Sequence, residues 1–292
     1  MGAPNADSPA ADGVMLRPMT TADLPSAHAL SSQLHWPHRF ADWEQALRHA
    51  EGFVAEQEGS VIGTALRWHW GPAHATIGLV IVDPAHQGQR IGHRLMSAVL
   101  DGLDSHCLLL HATPEGRGLY ERLGFQRIGD LQQHQGQALP SPLVALDAGW
   151  RLRPAAQGDL PALQALDRVA RGMPRDALIA ELVDGAEASV VLDQGGTARG
   201  FGLLRRFGRG HVIGPVIAPD ATGAQALIAH LSGLNAGRFT RIDIDAGSGL
   251  GDWVTSLGLA RVDAPVTMQR GDAPAPVPGA PRLFAVTTQA LG

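Results

Sequence analysis

The sequence predicts an α+β protein made of two tandem domains of one fold, each a mixed, mostly antiparallel sheet flanked by helices. Three short anchors recur in the same order at an offset of 134 to 136 residues, which indicates a duplicated domain. In each copy, strand hairpins come first and a strand–helix–strand unit follows, which is typical of a mixed sheet. The anchors are Leu16–Pro18 with Asp23–Pro25 and Leu152–Pro154 with Asp159–Pro161, Ile77–Gly78 and Ile213–Gly214, and Leu123–Phe125 and Leu257–Leu259.

Composition divides the 292 residues into five segments, and the length suits two domains of average size. Glycine and proline interrupt the apolar periodicity between the two copies and again after the second copy. The segments are a disordered leader at 1–13, a first domain at 14–135, a linker at 136–148, a second domain at 149–271, and a Pro- and Ala-rich linker with a terminal strand at 272–292.

Apolar periodicity places the elements of the first copy in order. Asp23 is a plausible N-cap for the first helix, and Gly59 suits a hairpin turn between the second and third strands. The predicted strands are Val14–Arg17, Gly52–Glu56, Val61–His69, Ala75–Val82, Cys107–His111 and one from Gln126, and the predicted helices are Asp23–Leu34, Arg39–His49, Ile91–Leu103 and Arg117–Leu123.

Charge and hydropathy exclude several classes of function. A formal net charge of −5 argues against a nucleic-acid partner, because phosphates require a basic face. No run of eighteen apolar residues is present, and the first residues lack the pattern of a signal peptide, so we expect a cytoplasmic protein with no membrane partner. The chain contains no lysine, which excludes Schiff-base chemistry and a Walker-type phosphate loop.

One segment carries most of the functional information. A β-branched strand ends at Val82-Asp83-Pro84, and a short polar turn with Gly88 then opens an amphipathic helix near Ile91. Such a turn presents free N–H groups at the positive end of a helix dipole, where phosphate binds. The spacing alone is equally compatible with an ordinary turn between a strand and a helix.

Two motifs in this order resemble the GNAT (Gcn5-related) N-acetyltransferases, in particular bacterial members with two tandem GNAT-like domains. The first is Val82-Asp83-Pro84 followed by Gln87-Gly88-Gln89-Arg90-Ile91-Gly92, with Arg90 where the family usually has glycine. The second is Leu119-Tyr120-Glu121-Arg122-Leu123-Gly124-Phe125. The resemblance covers residues 14–135 and implies that acetyl-CoA is the cofactor.

The resemblance also implies a role for individual residues. Ile81 and Val82 would pair with the pantetheine arm, and Thr113 would lie in the turn on the cofactor side. Tyr120, the only tyrosine of the chain, would protonate the departing thiolate. The remaining cofactor-binding residues, which would hold the diphosphate, are Gln87, Gly88, Gln89, Arg90, Ile91, Gly92 and His93.

No carboxylate stands at the usual family position for a general base, so the base stays open. His74 is the leading candidate because imidazole titrates near neutral pH, and the alternatives are His69, Glu56, Asp83 or a chain of waters. The segment His35–His38, with Trp36 and Trp43, is a candidate wall of the acceptor pocket. Two histidines cannot complete a zinc shell, so no metal is predicted.

The second copy lacks the same motifs. At the repeat offsets, Gly223 and Ile228 replace Gln87 and Gly92, and Val254 replaces Tyr120. Residues 245–251 fit the glycine pattern of a methyltransferase loop, but too few residues follow it to complete that fold. The resemblance implies transfer of an acetyl group to an amine, and we predict that the acceptor is a primary amine of a small molecule and that the protein is a monomer with pseudo-dimeric halves or a homodimer. The alternative function is an acyl-CoA-binding regulatory module with little or no catalysis.

Overall fold

The computed structural model describes residues 13–273 and 277–292. The predicted leader therefore lies outside the described residues apart from Gly13, as do residues 274–276 of the second linker. Among the described residues, no helix is long and apolar enough to cross a lipid bilayer.

The first half contains the predicted elements, and their ends differ from the predicted ends by at most three residues. Gly59 forms the turn of the first hairpin with a φ of +77°, which glycine adopts without strain. The strands are β1 (Val14–Pro18), β2 (Glu51–Gln57), β3 (Ser60–Trp70), β4 (His74–Val82), β5 (Cys107–Ala112) and β6 (Gln126–Gln137), and the helices are α1 (Leu24–Gln33), α2 (Phe40–Arg48), α3 (Ile91–Leu100) and α4 (Pro114–Arg122).

The second half repeats this order with two strands in place of the last one and adds a further strand at its end, which confirms the duplicated α+β fold. The predicted strand near Leu283 is present as the added strand. The strands are β7 (Trp150–Pro154), β8 (Ala188–Gln194), β9 (Thr197–Phe207), β10 (Gly210–Ala218), β11 (Phe239–Asp245), β12 (Ala260–Asp263), β13 (Val266–Arg270) and β14 (Arg282–Ala285), and the helices are α5 (Leu160–Arg171), α6 (Asp176–Asp184), α7 (Ala221–Leu234) and α8 (Gly251–Ser256).

The strands of both halves form one continuous sheet in the order β1-β2-β3-β4-β5-β13-β6-β11-β14-β10-β9-β8-β7, with β12 paired to β6. Strand β13 of the second half lies between β5 and β6 of the first half. Strand β6 runs to Gln137 and pairs with β11, from Gln137 opposite Phe239 to Leu131 opposite Asp245. The predicted boundary after residue 135 therefore falls inside a strand, and the two halves share their sheet.

Helices α1 and α2 of the first half and α5 and α6 of the second half contribute to one shared apolar core. Trp43 and Trp68 are fully buried in it, and their indole N–H groups donate to Ser31 Oγ (3.0 Å) and to the Ala46 carbonyl (2.9 Å). Satisfying both donors avoids the penalty for a buried, unbonded polar group. This core fixes how the two halves are joined.

Each half contains the same ion pair at its start. Arg17 Nη2 lies 2.7 Å from Asp23 Oδ1, and Arg153 Nη1 lies 2.6 Å from Asp159 Oδ2. Asp23 is the N-cap residue of α1, as predicted, but its carboxylate makes no capping bond to that helix. It accepts instead from the Thr20 N–H at 2.8 Å and from Arg17, so it ties β1 to the turn before α1.

Candidate active site

A bulge interrupts β4 where the candidate site begins. Gly78 lies opposite Leu66 and Ile81 opposite Thr64, so β4 has one residue more than β3 between these pairs. Leu79 has a φ of +51°, and its carbonyl accepts a 2.8 Å hydrogen bond from the buried Thr64 hydroxyl. A bulge leaves one residue outside the ladder and re-aims its backbone groups. The isolated glycine at position 78 was a signal for this bulge that the sequence analysis did not use.

Beyond the bulge, β4 and β5 separate. Their parallel pairing runs from His74 opposite Cys107 to Ile77 opposite Leu110 and includes no later residue of β4. The separation opens a cleft at the carboxyl ends of the two strands. The cleft has a volume of about 910 Å³.

The turn between β4 and α3 closes one end of the cleft. Asp83 Oδ1 accepts from the Ala85 N–H at 2.8 Å, and the Gln87 side chain donates to the Val82 carbonyl at 3.2 Å. Gly88 and Arg90 both adopt left-handed φ values, +81° and +61°, and Arg90 is the N-cap residue of α3. The first N–H groups of α3 have no partners within the helix, so this turn is suited to bind an anion.

The structure brings the predicted cofactor-binding residues together with one exception. Gln89 is exposed on the turn and does not line the cleft. The predicted residues that line it are Ile81, Val82, Gln87, Gly88, Arg90, Ile91, Gly92, His93, Thr113 and Tyr120. A Cβ at Gly92 would lie 3.5 Å from Leu119 and 3.7 Å from Val82, so the glycine keeps the wall of the cleft open rather than relieving a clash.

Tyr120 lies on α4 with only 8% of its surface exposed, and its ring packs edge-on against Phe125 at 6.2 Å between centroids. Burial disfavours the phenolate and raises the pKa of Tyr120 to about 12. The phenol therefore keeps its proton throughout the physiological pH range and can donate it within the cleft.

The structure places His74, the leading candidate for the base, outside the cleft. His74 is the first residue of β4 and is not among the residues that line the cleft. Gly78 is four positions further along the strand, which corresponds to about 13 Å. Burial, and secondly the neighbouring His106, lower its pKa. His69, Glu56 and Asp83, the other candidate bases, do not line the cleft either.

Of the predicted acceptor-pocket wall, only Trp36 reaches the cleft, together with Leu34. Trp43 is fully buried in the shared core. His38 packs against Phe207 of the second half, with 5.5 Å between ring centroids. Burial, and secondly the charge of Arg241, lower the pKa of His38 to about 4. His38 is therefore a neutral interface residue.

His111, near the end of β5, also lines the cleft and was not among the predicted site residues. Its Nδ1 lies 3.1 Å from the Thr267 hydroxyl of β13, and its Nε2 is buried without a partner among the described residues. Burial, and secondly the charge of Arg171, lower its pKa to about 3. Both neighbours come from the second half, and Thr267 is 156 positions away, so no local pattern could have shown them.

Comparison with known proteins agrees with this geometry. Family models described as "Acetyltransferase (GNAT) domain" match residues 48–127 and 163–280, the second extending past the predicted limit at residue 271. The uncharacterized N-acetyltransferase YitH of Bacillus subtilis is 31% identical over 220 residues, which cover 74% of this chain and 76% of YitH.

The chain belongs to the GNAT acetyltransferase family.

Solved structures show the same tandem GNAT fold. A proposed acetyltransferase of Pyrococcus horikoshii superposes with a TM-score of 0.77 at 17% identity, over 96% of each chain. A tandem GNAT protein from the clavulanic acid biosynthesis pathway superposes with a TM-score of 0.65 at 14% identity, over 90% of this chain and 99% of that one. The GNAT domains and the N-acetyltransferase relatives identify the protein as an acyltransferase.

The second GNAT domain differs from the first at each corresponding position. The Asp220 carboxylate accepts from the Gly223 N–H at 2.8 Å, so a side chain already places negative charge at the start of α7. Val254, at the position of Tyr120, is fully buried. Strand β14 lies between β10 and β11, where Ala285 pairs with Val216 of β10 and Ile244 of β11. In the second domain, β14 thus occupies the space between strands that is open as the cleft in the first domain.

The residues of the first domain fit a coenzyme A thioester. The N–H groups at the start of α3 suit a diphosphate, and Arg90, Arg122, His86 and His93 line the cleft as groups that can attract phosphate. The open edge of β4 beyond the bulge offers backbone groups to an extended amide-containing arm.

Proposed function

We propose that the protein transfers an acetyl group from acetyl-CoA to the primary amine of a small molecule by direct attack of the amine. The observation that supports this most strongly is the continuity of the cleft. One cavity of about 910 Å³ connects the anion-binding turn before α3, the bulge of β4 and the phenol of Tyr120.

Different groups of the protein bind different parts of acetyl-CoA along the cleft. Bound acetyl-CoA supplies an acetyl group activated as a thioester. The main-chain N–H groups from Gln87 to His93 hold the diphosphate, and Ile81 and Val82 pair with the pantetheine arm through their backbone. This binding fixes the position of the reacting carbonyl and lowers the entropic part of the barrier.

Two groups near the bulge act on charge that develops during the reaction. A backbone N–H of the re-aimed segment Leu79–Val80 donates to the carbonyl oxygen as negative charge accumulates there. Tyr120 would hold its proton up to a pKa of about 12 and give it to the departing sulfur. The resulting phenolate would then take up the proton that the nitrogen loses once the new C–N bond has formed. No carboxylate of β4 is required for either role.

Thiol release tests the proposal. Acetyl-CoA is mixed with a panel of primary amines, and free thiol is followed with a chromogenic disulfide. Tyr120→Phe is expected to lower kcat by about 100-fold while the Kd of acetyl-CoA, measured by calorimetry, changes less than about twofold. His230→Gln, at an exposed position of α7, is the control and should match the wild type.

The same assay separates catalysis from the alternative function of a regulatory acyl-CoA-binding module. Tight binding of acetyl-CoA without thiol release across the panel would support the regulatory module. Unchanged turnover in Tyr120→Phe would remove this residue from the mechanism while leaving acetyl transfer intact.

A further inference from the structure

The end of the cleft nearest the second domain is apolar and has no negative charge. Leu34, Trp36, Leu79, Val80 and His111 are among the residues that line the cleft on this side. Glu115 is the only carboxylate among the described residues that line the cleft, and it is exposed on the first turn of α4. A cationic ligand group that entered this end would lose its hydration without gaining an anionic partner.

A buried cation lies beside this end of the cleft. Arg171 is the last residue of α5, and its Nε and Nη2 atoms are buried without partners among the described residues. A Cβ at Gly292 would lie 2.6 Å from Arg171 Nη2 and 3.6 Å from Leu109 Cδ2. Leu109 and His111 project from the same face of β5, because side chains alternate along a strand. The guanidinium therefore lies over the face of β5 that carries His111.

We propose that this end of the cleft is an acceptor subsite for primary amines whose remaining body carries no second positive charge, with His111 Nε2 accepting a hydrogen bond from the amino group. The inference rests on the proposed acetyl transfer and names the chemical class of its acceptor.

The surroundings of His111 explain the role of its ring. In the tautomer in which Nδ1–H donates to the Thr267 hydroxyl, Nε2 presents a lone pair to the cleft. Burial, and secondly the charge of Arg171, lower the pKa of His111, and that charge also disfavours any further positive charge nearby. The same field favours the neutral, nucleophilic form of a bound amine, so the site does not need a carboxylate base.

The test uses three amines of equal chain length that differ only in the charge at the far end. These are pentylamine, 5-aminopentanoate and 1,5-diaminopentane. We expect kcat/KM for the diamine to be about 10- to 30-fold lower than for the other two, the size of a repulsion between partly screened charges. Calorimetry of each amine with the protein saturated with coenzyme A should give the same order of affinities.

Three variants test whether the discrimination among the amines depends on the named residues. Arg171→Met should reduce the penalty on the diamine to less than about threefold, and it should raise Tm because it removes an unpartnered buried charge. His111→Ala should raise KM for all three amines by about tenfold while the Kd of acetyl-CoA is unchanged. Thr267→Val should shift KM in the same direction by a smaller factor, and His230→Gln is the control.

The outcomes separate this inference from the proposed function. A diamine that reacts as well as or better than pentylamine overturns the inference, and so does binding of coenzyme A with no binding of any of the three amines. If acetyl-CoA itself does not bind, the proposed function fails first.

Discussion

Arg90 stands where the family usually has glycine, and it still adopts the left-handed backbone conformation at the start of α3. Its φ of +61° lies in the left-handed region, which glycine enters freely and other residues enter at a cost of about 1–2 kcal/mol. The family's usual glycine at this position thus has a conformational reason. In this chain the strained conformation is kept, and a guanidinium lines the cleft.

Substitutions of Arg90 separate the effect of backbone strain on stability from the effect of the guanidinium charge on acetyl-CoA binding. Arg90→Gly should raise the free energy of unfolding by about 1 kcal/mol, because it relieves the left-handed strain, and should weaken acetyl-CoA binding by about two- to fivefold, because a charge is lost. Arg90→Ala is the matched control: it loses the charge and keeps the strain. Equal stabilities of the two variants in urea unfolding would show that the strain is negligible.

The pH dependence of the reaction should reflect the pKa of the acceptor amine rather than the pKa of a protein group. A pKa of about 3 keeps His111 neutral above that pH, and a pKa of about 12 keeps Tyr120 protonated below it. Neither group changes charge between about pH 5 and 10. Replacing ethylamine by the less basic trifluoroethylamine should therefore move the acidic limb of kcat/KM to lower pH. A limb that stays near the usual histidine pKa with both amines would contradict this expectation.

At the level of elements, the sequence predicted what local patterns encode. Strand alternation, the turn glycine at position 59 and the amphipathic period of α3 placed each element of the first half. The isolated Gly78 indicates a bulge in β4, but the register against β3 that places the extra residue there is not encoded locally. The choice of His74 as the leading base has the same limit: its chemistry suits a base, but only the pairing of β4 shows at which end of the strand the cleft opens.

The repeated ion pairs Arg17–Asp23 and Arg153–Asp159 should make stability fall in acid. Hydrogen bonds from the arginines lower the pKa of each aspartate to about 2, below its unfolded value near 4. A lowered pKa in the folded state gives stability that is present above about pH 4 and lost as the pH falls toward 2. Asp23→Asn and Asp159→Asn should each lose about 1–2 kcal/mol at pH 7, and the difference from the wild type should shrink below pH 4.

Thermal unfolding at pH 7, 4 and 2.5 measures this difference. Asp104→Asn is the control. Its carboxylate is 99% exposed and lies no closer than 3.8 Å to Arg270, so this ion pair contributes little to stability. A difference that is constant across the three pH values would show that the aspartates stabilise the fold without their charge.

On the scale of the whole molecule, the duplication could be read from three anchors, but the exchange of strands could not. Strand β13 pairs with strands of the first domain, and β14 lies between two strands of the second. Local periodicity does not encode the strands with which either of them pairs. Both pairings follow from the need to pair every strand edge near the junction and to bury the apolar faces of the helices.

We expect one molecule of coenzyme A to bind per chain. The Asp220 carboxylate at the start of α7 and the pairing of β14 with β10 and β11 oppose a second molecule. Titration calorimetry should give a stoichiometry near one, and Gly92→Val, which narrows the first cleft, should abolish the heat. Residual binding of one molecule in that variant would place a site in the second domain.

The position of β13 sets an order of events during synthesis. The contact between His111 and Thr267 spans 156 positions, which a ribosome translates in about 8 to 30 s. Until then β5 and β6 have no strand between them, and the unpaired edges of both strands are exposed to other proteins in the cell. Slow codons in the second half of the gene should therefore lower the yield of active enzyme, and chaperones that shield nascent chains should restore it.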